Sequence, residues 1–399
     1  MAVHRTAVLS ASWANALAGE TDPEDNERVT PMRIPVAVLS RARRATELFH
    51  ALTGVGVDAA ELLAGRAGLL GLSPQGRISA GGATRLMRSS DGWCAITLSR
   101  RDDVDAVPAM IESDAVGDDP WPAVQRWVAD NASADVTGRA RLLGLPVAAL
   151  GEAHAASPRI KTLSTAAAPH EPSGLLVADL SSMWAGPLCG RLLARLGATV
   201  VKVETPCRPD GTRAGPPAFF DWMNTGKLSY AVDFDEPAGL RRLLEAADVV
   251  IESSRPAALA RRGLGPTDIA RRDGRIWLRI TGHGTDGEQA DWVAFGDDAA
   301  VSGGLVGGTE RDPVFCGDAI ADPLTGLHAA LGVAESLSRG GGELIELSMA
   351  AVAATYAPDD RTTETQCAAT PAPSDPAPQL GADNAVVEHL LAERRLASC

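Results

Sequence analysis

The second half of the chain is punctuated by short apolar runs, each closed by a polar or glycine-containing stretch. GLLVADL (174–180), ATVVKVE (198–204), ADVVIES (247–253), RIWLRITG (275–282) and GELIELS (342–348) are too short for typical helices and show no strict apolar–polar alternation. That combination predicts strands buried on both faces, as in a parallel sheet. Between the first two runs, LCGRLLARLG (188–197) has apolar residues at helical spacing and ends in glycine, so two strands enclose one helix. Continued in this way, the pattern predicts an α/β large domain over residues 174–356, built on a doubly wound parallel sheet.

The first half reads differently. RARRATELFHALTG (41–54) and WPAVQRWVADNA (121–132) have helical periodicity and flank one strand candidate, GWCAITLS (92–99). They predict a small α+β domain over residues 35–165, preceded by an N-terminal extension of residues 1–34. AAAPHEPSGLL (166–176) is rich in Ala and Pro without periodicity, and residues 166–173 are read as a linker. Residues 357–399 are expected to form an irregular tail rich in Thr, Pro, Asp and Ala, closed by an amphipathic helix at DNAVVEHLLAERRL (383–396).

Composition narrows the function classes. With 399 residues, 45% hydrophobic and 22% charged, disorder throughout is excluded. A net charge of -14 argues against nucleic acid as the main partner, because phosphate backbones need a cationic face. No apolar run reaches the roughly 20 residues of a membrane helix, so no membrane partner is expected. MAVHRTAVLSASWANALAGE, at the start, lacks a sustained apolar core and acidic residues follow it, which favours a cytoplasmic protein. The six cysteines are scattered, with no C-x-x-C and no histidine at ligand spacing, so reduced thiols and no metal site are expected.

Four stretches carry candidate chemistry. The first βα turn, SSMWAGPLCG (181–190), lacks G-x-G-x-x-G and sets Met183 and Trp184 where a pyrophosphate needs bare backbone. NAD or FAD binding is therefore disfavoured, although Glu204 ends the second strand as a ribose-binding acid would. Pro187 is expected at the first helical position. ESSRPAALARRGLG (252–265) places Arg255, Arg261 and Arg262 around a short helix at a strand's C-terminal end, either as a phosphate site or as a solvated face. In SAGGATRLMRSSDGW (79–93), Gly81 and Gly82 permit positive φ beside Arg85 and Arg88, either as a plain turn or as a loop closing on a ligand. FCGDAIADPLTGLHAALG (315–332) carries Asp318 and Asp322 in a mostly apolar run. Pro323 can start a helix, which makes Asp322 its expected N-cap. The same placement would hold that carboxylate ionised and aimed at the sheet edge, as a nucleophile requires.

ADLSSMWAGPLCGRLLARLGATVVKVE, FFDWMNTGKLSYAVDF, ADVVIESSRPAALARRGLG, ITGHGTDG and GDAIADPLTGLHAALG occur in that order over most of residues 174–356. Together they resemble the family III CoA-transferases of the formyl-CoA transferase and carnitine CoA-transferase type. The resemblance implies a Rossmann-like large domain, a small domain and an interlocked homodimer. It implies CoA transfer between acyl-CoA and carboxylic acids, with coenzyme A as co-substrate and no permanently bound cofactor. Asp322 falls on the family's nucleophile, which passes through a mixed anhydride and an aspartyl-CoA thioester. Met183, Trp184 and Ala185 fall on the lining of the thiol end, Val232, Ser253, Ser254 and Arg261 on the nucleotide site, and Gly81 and Gly82 on a shielding loop. Asp318 is expected to be a structural partner of the preceding turn.

The sequence also departs from the family. Ala321 replaces a glycine before the nucleophile, Leu228 and Thr205 replace frequent arginines, and Trp184 stands where formyl-CoA transferases have glutamine, which disfavours formyl-CoA and oxalate. GGATRLMRSSDGWCAITL (81–98) and LLGLPVAALGE (142–152) resemble small-domain segments that usually follow the large domain. The small domain is thus expected to be transposed to the N-terminal side, in a dimer swapped without topological linkage. Two rivals stand beside this reading. One is an α-methylacyl-CoA racemase, for which AFGDDAAVSGG (294–304) lacks a histidine while His283 lies in the preceding loop. The other is a non-catalytic CoA-binding protein in which Asp322 is only a cap.

Overall fold

A computed structural model describes residues 30–168 and 172–397, so residues 1–29 of the expected extension and 169–171 of the expected linker lie outside the described residues. The described chain starts with strand β1 (Met32–Pro35) and helices α1 (Val36–Thr53) and α2 (Ala59–Leu70). Asp58 caps α2 by accepting from the Glu61 N–H at 2.8 Å. Strands β2 (Thr84–Arg88), β3 (Trp93–Thr97) and β4 (Val147–Ala149) form an antiparallel sheet in that order. Helices α3 (Arg101–Asp105), α4 (Val107–Ile111), α5 (Trp121–Asp130) and α6 (Ser133–Leu142) are inserted between β3 and β4. Met87, Ile96, Val124 and Val136 are part of this module's own core.

After β5 (Arg159–Thr162), strand and helix alternate through β6 (Leu176–Asp179), α7 (Ala185–Arg195), β7 (Thr199–Glu204), α8 (Pro217–Asn224), β8 (Leu228–Ala231), α9 (Ala238–Ala246) and β9 (Val249–Glu252). The series continues through α10 (Ala257–Ala260), β10 (Ile276–Thr281), α11 (Gly296–Ser302), a small ribbon of β11 (Gly307–Gly308) and β12 (Pro313–Val314), α12 (Ala321–Ser338) and β13 (Glu343–Ser348). Helix α13 (Met349–Tyr356), strand β14 (Glu364–Cys367) and helix α14 (Asn384–Ala397) complete it. The large sheet has the order β5-β13-β10-β9-β6-β7-β8. Its six later strands are parallel, and β5 runs antiparallel against β13.

From β6 the chain steps outward to β7 and β8, then returns to the other side of β6 for β9, β10 and β13. This Rossmann-like reversal opens a crevice beyond the C-terminal ends of β6 and β9, where such sheets bind ligands. Val177, Val200, Ile251 and Leu278 pack with Leu188 and Leu327 on one face. Ala178, Val201, Val250 and Trp277 pack with Leu243 and Val387 on the other. Burial on both faces explains why the strands read as continuous apolar runs.

Residues 35–165, read from sequence as one small domain, do not share one core. Val38 and Phe49 of α1 and Leu63 of α2 belong to the first face of the large sheet. Strand β5 is an edge strand of that sheet. Helical periodicity marks a buried face without saying which sheet it covers. The expected tail is also partly regular: β14 pairs antiparallel with β1, with Arg33 opposite Gln366.

Candidate active site

Beyond β6 the backbone passes through Met183 at φ 72°, a left-handed conformation costly for a non-glycine residue. The Met183 N–H donates to both carboxylate oxygens of Asp210 at 3.2 Å. Asp210 is held in turn by Lys202 Nζ at 2.7 Å, and Lys202 also donates to the Ser181 carbonyl. Alongside, Lys227 Nζ donates to Asp179 Oδ2 at 2.9 Å, to the Pro187 carbonyl at 2.8 Å and to Asn224 Oδ1 at 3.0 Å. Burial works against the Asp179 charge, yet Lys227 and Lys202 hold the carboxyl below its ordinary range. This buried charge network fixes the turn that leads into α7. Helix α7 begins at Ala185, so Pro187 is its third residue and not the first as expected. Glu204 accepts from Arg213 at 2.7 Å and from the Asp210 N–H at 2.9 Å, so it serves the same network and is not free for a ribose.

Asp322 sits differently from its sequence expectation. Helix α12 starts at Ala321, with Ile320 at the N-cap position and no side chain capping it. Gly317 (φ 69°) and Ala319 (φ 41°) turn the chain before the helix, and the Asp322 N–H donates to the Ala319 carbonyl at 2.8 Å. The first turn therefore closes through backbone, and the Asp322 carboxylate is not used as a cap. Instead the backbone N–H of Ala185, at the start of α7, acts on the carboxylate in favour of its ionised form. On its other side lies Gly296, the first residue of α11, where a Cβ would come within 2.3 Å of Asp322 Oδ2. Only glycine leaves room for the carboxylate there.

Burial pushes Asp322 up to about 7, Arg66 opposes that rise, and Asp297 adds to it. Burial thus brings its titration towards neutral pH, away from the full ionisation expected from a helix start. Burial, then Asp318, raises Asp297 to about 6. Asp297 accepts from the Ala319 N–H at 3.0 Å and from Thr84 Oγ1 of β2 at 3.5 Å, and the Ser79 side chain also favours its ionised form. Burial raises Asp298 to about 8, although the Phe295 N–H (3.0 Å) and Thr97 Oγ1 (2.8 Å) both donate to it. Ser79 and Thr97 come from the small sheet module, which therefore docks beside the carboxylates. If ionised Asp322 is the reactive form, kcat/KM for acyl-CoA rises with pH through a midpoint near 7, because protonation below it removes the nucleophile. A pH profile of initial rates at subsaturating acyl-CoA checks this.

Asp318 is fully buried and does not pair within its own turn. Its Oδ1 accepts from Arg66 Nη1 at 2.6 Å, across 252 residues of sequence, and its Oδ2 has no hydrogen-bond partner among the described residues. The Arg66 guanidinium lies 5.5 Å from the Trp184 ring centre and 5.3 Å from that of Phe219, and these two rings meet edge to face. A Cβ on Gly81 would lie 3.8 Å from Arg66 Nη2. The loop of Gly81 and Gly82, the latter at φ 79°, is thus brought to the same place. Asp318→Ala is expected to cost about 2 kcal/mol in urea unfolding, less than for a wholly buried pair because Arg66 keeps some access to solvent.

The structure therefore gathers Asp322, Trp184, Ala185, Gly81 and Gly82 around one point, with Met183 half exposed at the turn. Sequence reading missed Arg66 and gave Asp297 no role. The available signal for Arg66 was a lone arginine in the apolar helix AAELLAGRAGLL, whose other charge, Glu61, belongs to the capped first turn. Val232 follows the end of β8, and Ser253, Ser254 and Arg261 follow the end of β9, apart from this cluster. Val232 packs on the second face of the sheet, Ser253 is exposed, and Ser254 Oγ is buried without a partner among the described residues. Arg261 and Arg255 line a cavity of about 590 Å³ together with Arg100 and Arg141 of the small module. Arg262 instead pairs with Asp235 at 3.0 Å. His283 lies outside the Asp322 cluster, edge to face against Trp292, and burial lowers it to about 4.

A doubly wound, mostly parallel sheet with a cluster of sheltered carboxylates between the starts of α7, α11 and α12 defines an α/β protein. The model of CoA-transferase family III matches residues 173–384, more than half of the chain, and the chain belongs to that family. It is 35% identical over 187 residues to a succinate–glutarate CoA-transferase of Agrobacterium fabrum, covering 41% of this chain and 46% of that protein. It is 32% identical to a succinyl-CoA–D-citramalate CoA-transferase of Chloroflexus aurantiacus, covering 43% and 48%. A formyl-CoA:oxalate CoA-transferase of Afipia carboxidovorans is 32% identical, with coverage of 41% and 42%. The chain spans a little under half the length of these relatives.

Proposed function

We propose that the protein moves CoA from an acyl-CoA donor to a carboxylic acid acceptor, with Asp322 as nucleophile. The observation that carries this reading is the Asp322 carboxylate itself, in the space that Gly296 leaves open beside the start of α7. An ionised oxygen of Asp322 attacks the thioester carbonyl, the C–S bond breaks, and the electron pair leaves with CoA thiolate. The thiolate then attacks the aspartyl carbonyl of the mixed anhydride, giving Asp322 as its CoA thioester and releasing the donor acid. An acceptor carboxylate reverses both steps and leaves as the new acyl-CoA. The Ala185 N–H stays on one oxygen of Asp322 throughout and stabilises negative charge developing there. Trp184, Ala185 and Met183 line the thiol end, and the loop of Gly81 and Gly82 keeps water from the anhydride.

The nucleotide half of CoA lies over β9 and α10, with Val232, Ser253 and Ser254 as contacts and Arg261 on a phosphate. Arg261→Ala should raise KM for acyl-CoA roughly tenfold while leaving kcat nearly unchanged, as expected for loss of one charged hydrogen bond away from the reacting atoms. Steady-state kinetics on wild type and variant checks this. Trp184 in the first turn disfavours formyl-CoA and oxalate as substrates. The N-terminal module of β2–β4 stands for a transposed small domain, and the active form is a cytoplasmic homodimer, swapped without linkage. Subunits that separate on dilution or in mild denaturant without unfolding support that arrangement.

Transfer is favoured over two-base racemisation because Arg66, Asp297 and Asp318 are the charged side chains that act on Asp322 among the described residues, and His283 packs elsewhere against Trp292. The test is a panel of acyl-CoA donors with isotopically labelled carboxylic acids. Labelled acyl-CoA appearing at a rate that depends on enzyme is the expected result. Deuterium uptake at the acyl α-carbon without transfer would favour the racemase.

A further inference from the structure

We propose that Arg66 anchors the carboxylate of the acceptor acid, and that Asp318 is the positioning residue that holds its guanidinium at the Asp322 site. The inference rests on the transferase reading above and adds the group that recognises the second substrate. Arg66 comes from α2, and one of its five N–H groups is committed to Asp318 at 2.6 Å. Among the described residues it makes no other hydrogen bond. Trp184 and Phe219 flank the guanidinium, and the Gly81 loop approaches it at Nη2. Its side chain is 24% exposed, so the fork is sheltered and still reachable. A planar fork with uncommitted donors beside aromatic rings suits a bidentate carboxylate and does not suit a compact ammonium.

Charge balance decides which carboxylate it serves. The charged groups facing the point of attack are Asp322 on α12, Asp318 in the turn before it, Asp297 on α11 and Arg66 on α2. A free anion arriving beside ionised Asp322 would meet like charge on three sides. Once Asp322 has become the neutral CoA thioester, one of those three charges is removed while Asp318 and Asp297 stay, and the acceptor's carboxylate takes its place beside the same guanidinium. The acceptor oxygen then attacks the aspartyl carbonyl, the C–S bond breaks, and CoA thiolate leaves with the electron pair. Arg66 thus faces Asp322 in one half-reaction and the acceptor in the other, which makes acceptor binding conditional on loading.

The experiment uses the full chain with Arg66→Gln, Arg66→Lys and Asp318→Asn, measuring the two half-reactions separately. Loading is followed as the covalent CoA adduct of Asp322 by mass spectrometry, and discharge as the rate at which a labelled acid removes it. The expected result is loading in all forms, with half-saturation by acceptor raised roughly ten- to hundredfold in Arg66→Gln. A smaller rise is expected in Arg66→Lys, which keeps the charge without the fork, and in Asp318→Asn, which keeps the guanidinium but loosens it. If Arg66→Gln does not fold, the lysine and Asp318→Asn variants carry the test by the same readout. Wild-type loading with acceptor half-saturation unchanged within twofold in every folded variant overturns the role of Arg66 and leaves the transferase reading standing. Absence of any adduct in wild type overturns that reading and the inference with it.

Discussion

Asp322→Asn is expected to abolish the proposed CoA transfer, by roughly four orders of magnitude or more in kcat, and to leave the fold intact. The size of the effect follows from the role: a covalent nucleophile has no substitute, and the residual rate comes only from holding the substrates together. The fold survives because Asp322 caps nothing and has no ion pair among the described residues. Its helix closes through the Ala319 carbonyl, and burial already brings the titration of its carboxylate towards neutral pH. An amide also retains an oxygen to accept from the Ala185 N–H. Transfer assays and urea unfolding of the same preparation separate the two statements. Substantial residual transfer would show that another group attacks the thioester.

Lys227→Met is expected to destabilise the protein by about 3–5 kcal/mol, enough to lower its yield of folded material sharply. Lys227 and Asp179 are both essentially inaccessible to solvent and 2.9 Å apart. Removing the lysine strands an ionised Asp179 and also leaves the Pro187 carbonyl and Asn224 Oδ1 without their donor. Lys202 remains within electrostatic reach of Asp179 but is committed to Asp210 and Ser181, so it cannot replace the lost contacts. Pairing the substitution with Asp179→Asn should recover part of the loss, because no buried charge is then left unpaired. Chemical unfolding of both variants measures this. A single variant as stable as wild type would mean that the buried network contributes nothing to the βα turn.

Five of the seven strands of the large sheet were legible because burial on both faces leaves a continuous apolar signature, as in ADVVIES and GELIELS, whereas the exposed edge strand β5 and the short edge strand β8 carry no such run. The start of α12 was legible only approximately. Pro323 marked it, but the left-handed turn at Gly317 and Ala319 moved the boundary and took the capping role from Asp322. Helices α1 and α2 were assigned to the wrong body, since an amphipathic stripe does not name its partner. Arg66 lay beyond reach for the same reason: nothing local connects it to Asp318, and only the packing of α2 against the large sheet joins them. Asp297 stood in a stretch inspected for a histidine, and its relation to Asp322 arises from Gly296 abutting that carboxylate.

The central claim is that Asp322 carries CoA covalently. Wild-type protein is mixed with an acyl-CoA, quenched with hydroxylamine, digested and mapped by mass spectrometry. The account predicts a hydroxamate on Asp322 that requires acyl-CoA and is missing from Asp322→Asn. An unmodified Asp322 across a broad panel of acyl-CoA donors, or a modification at a different residue, would contradict it.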